Sequence, residues 1–158
     1  MKWIKRIQTI EIEENQTMKV VIYTDGGCVP NPGRGGWAAL IRYPGRDVEI
    51  SGMEPLTTNN RMELTAAIKA LESLSNGSAA QVFTDSEYLK KGITEWLPNW
   101  RKRGWKRKGG ALANQDLWMK LDLITQKIPV TWSWVRGHAG NKMNERVDQL
   151  VGKAISQI

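Results

Sequence analysis

The first third of the chain contains apolar runs whose composition and alternation predict three strands in succession. The runs are Lys19–Thr24, Trp37–Tyr43 and Asp47–Gly52. Glycine and proline residues between Gly26 and Gly36 predict a long turn after the first run, and Pro44-Gly45 predicts a tight turn after the second. Three consecutive strands joined by turns predict an antiparallel meander.

The apolar period then changes to that of a helix, with Leu64, Ala67, Ile68, Leu71 and Leu74 on one face. The remaining predicted elements are a strand over Gln81–Thr84, a short helix over Ser86–Lys91 closed by Gly92, a helix over Asn114–Thr125, a strand over Val130–Val135 with Val130, Trp132 and Trp134 on one face, and a last helix carrying Val147, Leu150, Val151 and Ala154. This order of elements predicts an α/β fold in which a mixed sheet carries helices on both faces.

Composition narrows the chemistry that this fold can support. The chain has 158 residues, 41% of them hydrophobic, so one folded domain is expected. The one cysteine, Cys28, and the one histidine, His138, exclude an intramolecular disulfide and Cys- or His-rich zinc sites. A metal would therefore be held mostly by carboxylates, which favours Mg²⁺ or Mn²⁺.

A net charge of +7 and a pI of about 9.7 favour a polyanionic partner such as nucleic acid. No apolar run approaches the roughly 18 residues of a membrane span. The basic start, Met1–Arg6, is not followed by the apolar core of a signal peptide, so a cytoplasmic protein without membrane contact is expected. Residues 1–17 are interpreted as an N-terminal extension, and residues 18–158 as the domain.

Four carboxylates stand where folding could bring them together. Asp25 ends the first predicted strand and Asp85 ends the fourth. Two central strands that each end in Asp would place both carboxylates side by side at one sheet edge. Glu63 lies in the first turn of the helix predicted to start near Asn60, and Asp148 lies in the last helix beside its apolar stripe.

Each of these carboxylates also has a structural explanation. Asp25 could form a turn after its strand, and Asp85 could cap the next helix. Glu63 could form a capping box with Asn60, and Asp148 could be a solvated helix residue. Taken singly, these explanations are favoured. Together, in a basic chain without other metal ligands, the four residues predict a cation site, because a bound divalent cation offsets the repulsion between clustered carboxylates.

Several short motifs carry a family resemblance. They are Thr24-Asp25-Gly26, the run from Thr57 to Glu63, Thr84-Asp85-Ser86, Gly137-His138-Ala139-Gly140, and the run from Asn144 to Asp148. In this order, and at these intervals, they resemble bacterial type 1 ribonuclease H of the form with a basic protrusion, from about Met18 to Ala154. The resemblance implies a ribonuclease H-like fold with a five-stranded mixed sheet, and an endoribonuclease that hydrolyses the RNA strand of RNA–DNA hybrids.

The resemblance also implies roles for particular residues. Asp25, Glu63, Asp85 and Asp148 would bind two Mg²⁺ ions about 4 Å apart, with Mn²⁺ as a substitute, and the products would carry a 5′-phosphate and a 3′-hydroxyl. His138 would shuttle protons or help the product leave; the alternative is a polar loop residue without a role.

Residues that would contact the substrate follow from the same resemblance. Those matched to RNA-strand contacts are Cys28, Asn31, Asn59 and Asn60, and those matched to a pocket for a DNA phosphate are Thr58 and Asn114. Two positions depart from the family pattern. Leu56 stands where some relatives carry Arg, and Glu87 stands where the family often has Gln.

Residues 93–108, here called the basic segment, interleave cations with aromatic residues. The cations are Arg101, Lys102, Arg103, Lys106, Arg107 and Lys108, and the aromatic residues are Trp96, Trp100 and Trp105. Such a mixture suits a nucleic-acid groove, although a solvated loop whose tryptophans pack on the core is the alternative. We expect Trp100 and Trp105 to pack, and Trp96 and the cations to face the DNA strand.

Three other functions remain as alternatives. A hybrid-binding module without catalysis would be expected to have lost a carboxylate, and all four are present. Another nuclease of the same fold is disfavoured by Asn59-Asn60 and by the basic segment. A metal-binding protein without catalysis would be separated by a hybrid-cleavage assay. The chain is expected to act as a monomer.

Overall fold

A computed structural model describes residues 19–106, 112–136 and 141–157. These residues form a five-stranded sheet with the strand order β3-β2-β1-β4-β5. The strands are β1 (Lys19–Cys28), β2 (Gly33–Tyr43), β3 (Arg46–Thr57), β4 (Ala79–Thr84) and β5 (Val130–Trp134). The β1–β2 and β2–β3 pairs are antiparallel, whereas β4 runs parallel to both β1 and β5. The predicted meander and mixed sheet are therefore confirmed.

Helices connect and cover the strands. They are α1 (Asn59–Glu72), α2 (Glu87–Lys91), α3 (Leu97–Lys102), α4 (Gln115–Lys127) and α5 (Lys142–Ser156), and a π-helical turn over Gly92–Trp96 joins α2 to α3. In the described part of the chain, none of the helices has both the length and the apolar character needed to cross a membrane.

The sheet is packed on both faces, as predicted. On one face, Ile22, Ile41 and Val82 join Leu64 of α1 and Trp118 of α4 in the larger core cluster. On the other face, α5 covers β1 and β2 through a smaller cluster that contains Ala38, Leu40, Val147 and Val151. This second contact places α5, and the acidic residue it carries, beside the central strand.

The first three strands are longer than the sequence predicted. The glycines after Asp25 were expected to form a turn, but β1 continues to Cys28 because its backbone stays paired with β2, for example at Gly26↔Trp37 and Cys28↔Gly35. Strand β3 likewise continues to Thr57 in pairing with β2. Ladder hydrogen bonds to a neighbouring strand outweigh the local turn preference of glycine.

Gly92 is the C-cap residue of α2, as predicted, but the chain does not leave the helical conformation there. The chain continues through the π-helical turn into α3. The reason for glycine here is packing, since a Cβ atom at this position would overlap the indole ring of Trp118. Trp118 itself is fully buried.

The predicted common face of β5 is only partly observed. Val130 and Trp132 pack against the larger core cluster, but Trp134 is 39% exposed. Strand β5 lies at the edge of the sheet, so the core does not extend far enough to cover the end of this strand.

Candidate active site

The two aspartates predicted to meet at a sheet edge do so. Strands β1 and β4 are parallel neighbours, with Tyr23 paired to Phe83. Asp25 and Asp85, each two residues after its member of this pair, therefore reach the same edge of the sheet. One carboxylate oxygen from each of Asp25, Glu63 and Asp85 lies within 4.8 Å of the others. Three of the four predicted carboxylates therefore form one compact group.

Glu63 reaches this group through the position at which α1 begins. The N-cap is Thr58, whose Oγ1 accepts a hydrogen bond from the backbone N–H of Arg61 at 3.2 Å. The capping box of Glu63 with Asn60 is therefore wrong. Similarly, the cap of α2 is Ser86, whose Oγ accepts from the N–H of Leu89 at 3.1 Å, so the alternative of Asp85 as a cap is wrong.

Gly26 allows α1 to approach β1 closely enough to deliver Glu63. An ideal Cβ atom on Gly26 would lie 2.5 Å from the backbone nitrogen of Glu63 and 2.6 Å from the carbonyl oxygen of Met62. Both are rigid backbone atoms. From the sequence, Gly26 was predicted to lie in a turn, and this role was missed; the available signal was its place directly after the acidic residue of a strand.

Burial and mutual repulsion dominate the electrostatics of the group. Burial, then the charge of Asp85, raises the pKa of Asp25 from about 3.8 to about 7, although a hydrogen bond from the Gly26 backbone acts in the opposite direction. Burial raises the pKa of Glu63 well above its usual range, and the charges of Asp25 and Asp85 raise it further. Without a cation, this group binds protons at unusually high pH.

Asp148 joins the group from α5. Its side chain is exposed, and both its charge and a hydrogen bond that it shares with Asp25 contribute to the raised pKa of Asp25. Helix α5 is held on the sheet by Val147 and by an ion pair in which Arg146 Nε donates to Glu49 Oε2 of β3 at 2.6 Å. All four predicted carboxylates thus meet at one edge of the sheet.

The residues present fit a hard divalent cation. Glu63 Oε2 is buried and has no hydrogen-bond partner among the described residues. A buried carboxylate oxygen without a partner is costly, and Asp25 and Asp85 beside it increase that cost. Oxygen ligands from several carboxylates are those that Mg²⁺ and Mn²⁺ prefer, and a bound cation would satisfy the oxygen and offset the repulsion.

Three short polar side chains lie in the loop between β1 and β2 and in the first turn of α1. Asn31, Asn59 and Asn60 are exposed, and the N–H of Asn59 donates to Asn31 Oδ1 at 3.2 Å. The buried thiol of Cys28 instead donates to the carbonyl oxygens of Pro30 and Thr57, at 3.2 and 3.3 Å. A contact of Cys28 with a ligand would therefore involve its backbone rather than its thiol.

Asn114 is held by a network that the sequence did not reveal. Its Oδ1 accepts from Arg61 at 3.2 Å, and its Nδ2 donates to the hydroxyl of Tyr88 at 3.0 Å. Arg61 also forms a bidentate ion pair with Asp116: Nη1 donates to Oδ1 at 3.0 Å and Nη2 donates to Oδ2 at 2.9 Å. The network connects the start of α1, next to Thr58, with the start of α4. Its only sequence signal was the Arg within the run Thr57 to Glu63.

The tryptophans of the basic segment form one stacked group. The ring centroids of Trp96 and Trp100 are 6.1 Å apart, and those of Trp100 and Trp105 are 5.8 Å apart. All three pack against the larger core cluster, which confirms the expectation for Trp100 and Trp105. Trp96 was expected to face outward, but it also packs, 5.4 Å from the ring of Tyr88.

A cleft of about 370 Å³ opens over these rings. It is lined by Tyr88, Trp96, Trp100, Arg103, Lys106, Leu112 and Ala113. Lys102, Arg103 and Lys106 are exposed, whereas Arg101 forms an ion pair with the buried carboxylate of Asp122. Arg101 is therefore already neutralised within the fold.

The remaining predictions concern residues outside the described ranges and the two positions that depart from the family pattern. His138, Arg107 and Lys108 lie outside the described residues, as does the extension 1–17. Leu56 is 78% exposed near the end of β3, so an apolar side chain lies in solvent at this position. Glu87 is exposed in the first turn of α2, where a negative charge favours the helix.

Comparisons with known proteins agree with this geometry. A family model described as RNase H matches residues 17–156. Ribonuclease HI of Pseudomonas aeruginosa is 54% identical over 141 residues, which is 89% of this chain and 95% of the relative. Ribonuclease H of Francisella philomiragia is 53% identical over 140 residues, covering 88% of this chain and 92% of the relative.

Solved structures agree as well. The crystal structure of LC9-RNase H1, a type 1 RNase H with the type 2 active-site motif, superposes with a TM-score of 0.78 at 36% identity, covering 88% of this chain and 72% of that one. The structure of LC11-RNase H1 in complex with an RNA/DNA hybrid matches with a TM-score of 0.64 at 27% identity, covering 86% and 96% of the two chains.

Proposed function

Because this chain belongs to the RNase H family, we infer that it is an endoribonuclease that hydrolyses the RNA strand of RNA–DNA hybrids. The observation that carries this inference is the compact group formed by Asp25, Glu63 and Asp85, with oxygens within 4.8 Å of one another, in a chain whose relatives are ribonucleases H. The solved relative in complex with an RNA/DNA hybrid supports the same substrate.

We propose that Asp25, Glu63, Asp85 and Asp148 hold two Mg²⁺ ions, for which Mn²⁺ can substitute. When bound, the ions would activate the attacking water and stabilise the charge on the leaving 3′ oxygen, so that the products carry a 5′-phosphate and a 3′-hydroxyl. Burial of Asp25 and Glu63 excludes water from one side of the site, which strengthens electrostatic interactions there.

The RNA strand would be recognised by the exposed amides of Asn31, Asn59 and Asn60, together with the backbone of Cys28. Short polar groups suit 2′-hydroxyls, which both donate and accept hydrogen bonds. The hydrogen bond between Asn59 N–H and Asn31 Oδ1 supports this assignment, because it fixes the loop between β1 and β2 relative to the start of α1.

The DNA strand would be held by Thr58 and Asn114 at one phosphate, and by the basic segment beyond it. Arg61 and Tyr88 orient the amide of Asn114, which supports its role as a fixed phosphate ligand. Trp96, which lines the cleft, would contact the strand there, and the exposed side chains of Lys102, Arg103 and Lys106 would contact its phosphates. Arg107 would add a further phosphate contact.

Two further proposals concern His138 and the N-terminal extension, which lie outside the described ranges. His138 would shuttle protons or assist product release. Residues 18–158 would constitute the catalytic domain and residues 1–17 an extension that catalysis does not need. The match of the family model to residues 17–156 supports this division, as does the position of every proposed site residue after residue 17.

A cleavage assay tests the function directly. Labelled RNA–DNA hybrid, double-stranded RNA and double-stranded DNA are incubated with the protein, with Mg²⁺ or with EDTA. We expect internal cleavage of the RNA strand in the hybrid only, and only with Mg²⁺. Equal cleavage of double-stranded RNA, or cleavage of the hybrid in EDTA, would refute the proposed function.

Replacement of Lys102, Arg103 and Lys106 by Ala is expected to raise KM for the hybrid and to weaken its salt dependence, with a smaller effect on kcat. Each phosphate contact contributes about 0.9 to the slope of log K against log salt, so the slope should fall by roughly 2–3. Steady-state kinetics at several salt concentrations measure this change.

The matched control removes the same charge elsewhere. Lys69, Lys127 and Lys153 are exposed cations on three other helices. Replacing these three by Ala should leave the salt slope nearly unchanged. If both triple variants reduced the slope equally, net charge rather than a located DNA contact would explain the effect.

Mg²⁺ is expected to stabilise the fold more at pH 8 than at pH 5.5. Folded Asp25 keeps its proton up to about pH 7, whereas the unfolded chain loses it near 3.8. Between these values the folded state binds more protons, so the unfolding free energy of the metal-free protein falls as pH rises. Mg²⁺ must displace those protons, so its affinity should increase with pH up to about 7.

Thermal melts with and without Mg²⁺ at the two pH values test this linkage. Mg²⁺ at about 100 times its Kd would add roughly 2.7 kcal/mol at the higher pH. The variant Asp25→Asn should lose most of the Mg²⁺ effect at both pH values. An equal Mg²⁺ effect on the unmodified protein at pH 5.5 and pH 8 would contradict metal binding by these carboxylates.

A further inference from the structure

The indole of Trp134 forms a hydrogen bond to the main chain of a proposed metal ligand. Its Nε1–H donates to the carbonyl oxygen of Asp85 at 3.2 Å. Trp134 is the last residue of the edge strand β5, and Asp85 directly follows β4. A side chain from one strand thus contacts the peptide group that leads out of its neighbour.

This contact lies where the backbone ladder between the two strands ends. Thr84 pairs with Trp134, and the N–H of Val135 donates to the Thr84 carbonyl at 2.9 Å. The next carbonyl along the chain belongs to Asp85, and the indole donates to it. On the other side, the N–H of Ser86 donates to Thr84 Oγ1 at 3.1 Å. Hydrogen bonds therefore fix the backbone on both sides of Asp85.

Core packing does not account for Trp134. The side chain is 39% exposed, whereas Trp132, two residues earlier on the same strand, packs against the larger core cluster. The Trp134 ring is instead held by Lys90 of α2, whose Nζ lies 4.7 Å from the ring centroid. A cation over the ring face stabilises this orientation of the indole, and with it the direction of the N–H group.

We propose that Trp134 is a positioning residue for the metal-binding carboxylate of Asp85, with Lys90 holding the indole in place. This inference rests on the proposed function. The direction of the Asp85 Cα–Cβ bond depends on its backbone dihedrals, and a fixed carbonyl restricts them. Groups that orient metal ligands typically contribute about 10–100-fold in metal affinity or activity.

The experiment compares single variants of the full chain. Trp134→Phe removes the donor but keeps an aromatic ring beside Lys90. Trp132→Phe is the matched control, because it makes the same change on the same strand without touching the Asp85 carbonyl. Lys90→Gln removes the cation and leaves β5 unaltered. Asp85→Asn serves as the reference for loss of the metal ligand itself.

Two readouts separate positioning from general stability. Mn²⁺ binding to the protein alone is measured by electron paramagnetic resonance, and the Mg²⁺ concentration for half-maximal hybrid cleavage is measured together with KM for the hybrid. Trp134→Phe should weaken Mn²⁺ binding and raise the half-maximal Mg²⁺ concentration by about 10-fold. KM should stay within about twofold, Lys90→Gln should shift both metal readouts in the same direction by less, and Trp132→Phe should shift neither.

The outcomes distinguish this inference from the proposed function. Unchanged metal readouts in Trp134→Phe, in a preparation where Asp85→Asn loses metal binding, would overturn the positioning role alone. Unchanged metal binding in Asp85→Asn would overturn the metal assignment itself. If Trp134→Phe does not fold, Lys90→Gln decides, and unaltered metal affinity in that variant would overturn the inference.

Discussion

Replacement of Asp25 or Asp85 by Asn is expected to lower the rate of hybrid cleavage by about 1000-fold or more while the protein remains folded. A metal-bound transition state loses several kcal/mol of stabilisation when a charged ligand becomes a neutral amide, and this corresponds to a rate reduction of that size. Single-turnover rates at saturating Mg²⁺ measure the effect without interference from product release.

The same substitution should leave the metal-free fold intact or make it more stable. Burial and the charges of Asp85 and Asp148 raise the pKa of Asp25 to about 7, so the ionised form destabilises the folded state above that pH. Thermal melts in EDTA at pH 8 should therefore show no loss of stability in Asp25→Asn.

An exposed aspartate provides the control for this prediction. Asp47 pairs with Arg42 on the surface at 3.3 Å, and such pairs contribute little to stability. Asp47→Asn should leave both the cleavage rate and the melting temperature nearly unchanged. A rate for Asp25→Asn close to that of Asp47→Asn would rule out Asp25 as a metal ligand.

Replacement of Gly26 by Ala is expected to be the most damaging single-methyl change in the described site. The new Cβ would lie 2.5 Å from the Glu63 nitrogen and 2.6 Å from the Met62 carbonyl oxygen, so strand and helix must separate. Overpacking of this kind costs about 3 kcal/mol or more, which would lower the Tm by roughly 6–12 °C for a chain of this length. Displacement of Glu63 should lower kcat in addition.

The neighbouring glycine offers a control in the same strand. A Cβ on Gly27 would meet Val151 Cγ1 at 3.4 Å, an ordinary van der Waals distance. Gly27→Ala should therefore be tolerated, with a small change in Tm and kcat. Equal melting temperatures for the Gly26→Ala and Gly27→Ala variants would show that the close approach of α1 is not needed for folding.

Much of the site could be predicted because its motifs are local. Asp25 and Asp85 each end an apolar run, and parallel strands that end together bring such residues to one edge. Glu63 and Asp148 were harder, since helical position alone does not distinguish a ligand from a capping or solvated residue. A capping box of Glu63 with Asn60 was wrong because the N-cap residue is Thr58, two positions before Asn60.

Local patterns accounted only in part for two glycines. Gly26 was predicted to lie in a turn but lies within a strand, and Gly92 caps α2 as predicted but also begins the π-helical turn. Each is glycine because another element occupies the space of a side chain: the backbone of α1 at Gly26, and the ring of Trp118 at Gly92. Such a requirement depends on atoms distant in sequence, so periodicity cannot reveal it.

By itself, the sequence predicted the order of the strands and of the longer helices, the mixed sheet, the basic segment and the four candidate carboxylates, because apolar periodicity and short motifs depend on neighbouring residues. Only the tertiary structure decided the contacts between elements: the pairing of Arg61 with Asn114 and Asp116, and the hydrogen bond from Trp134 to Asp85. These contacts join residues 49 to 55 positions apart. They depend on how strands and helices pack, and packing is determined by the whole core together.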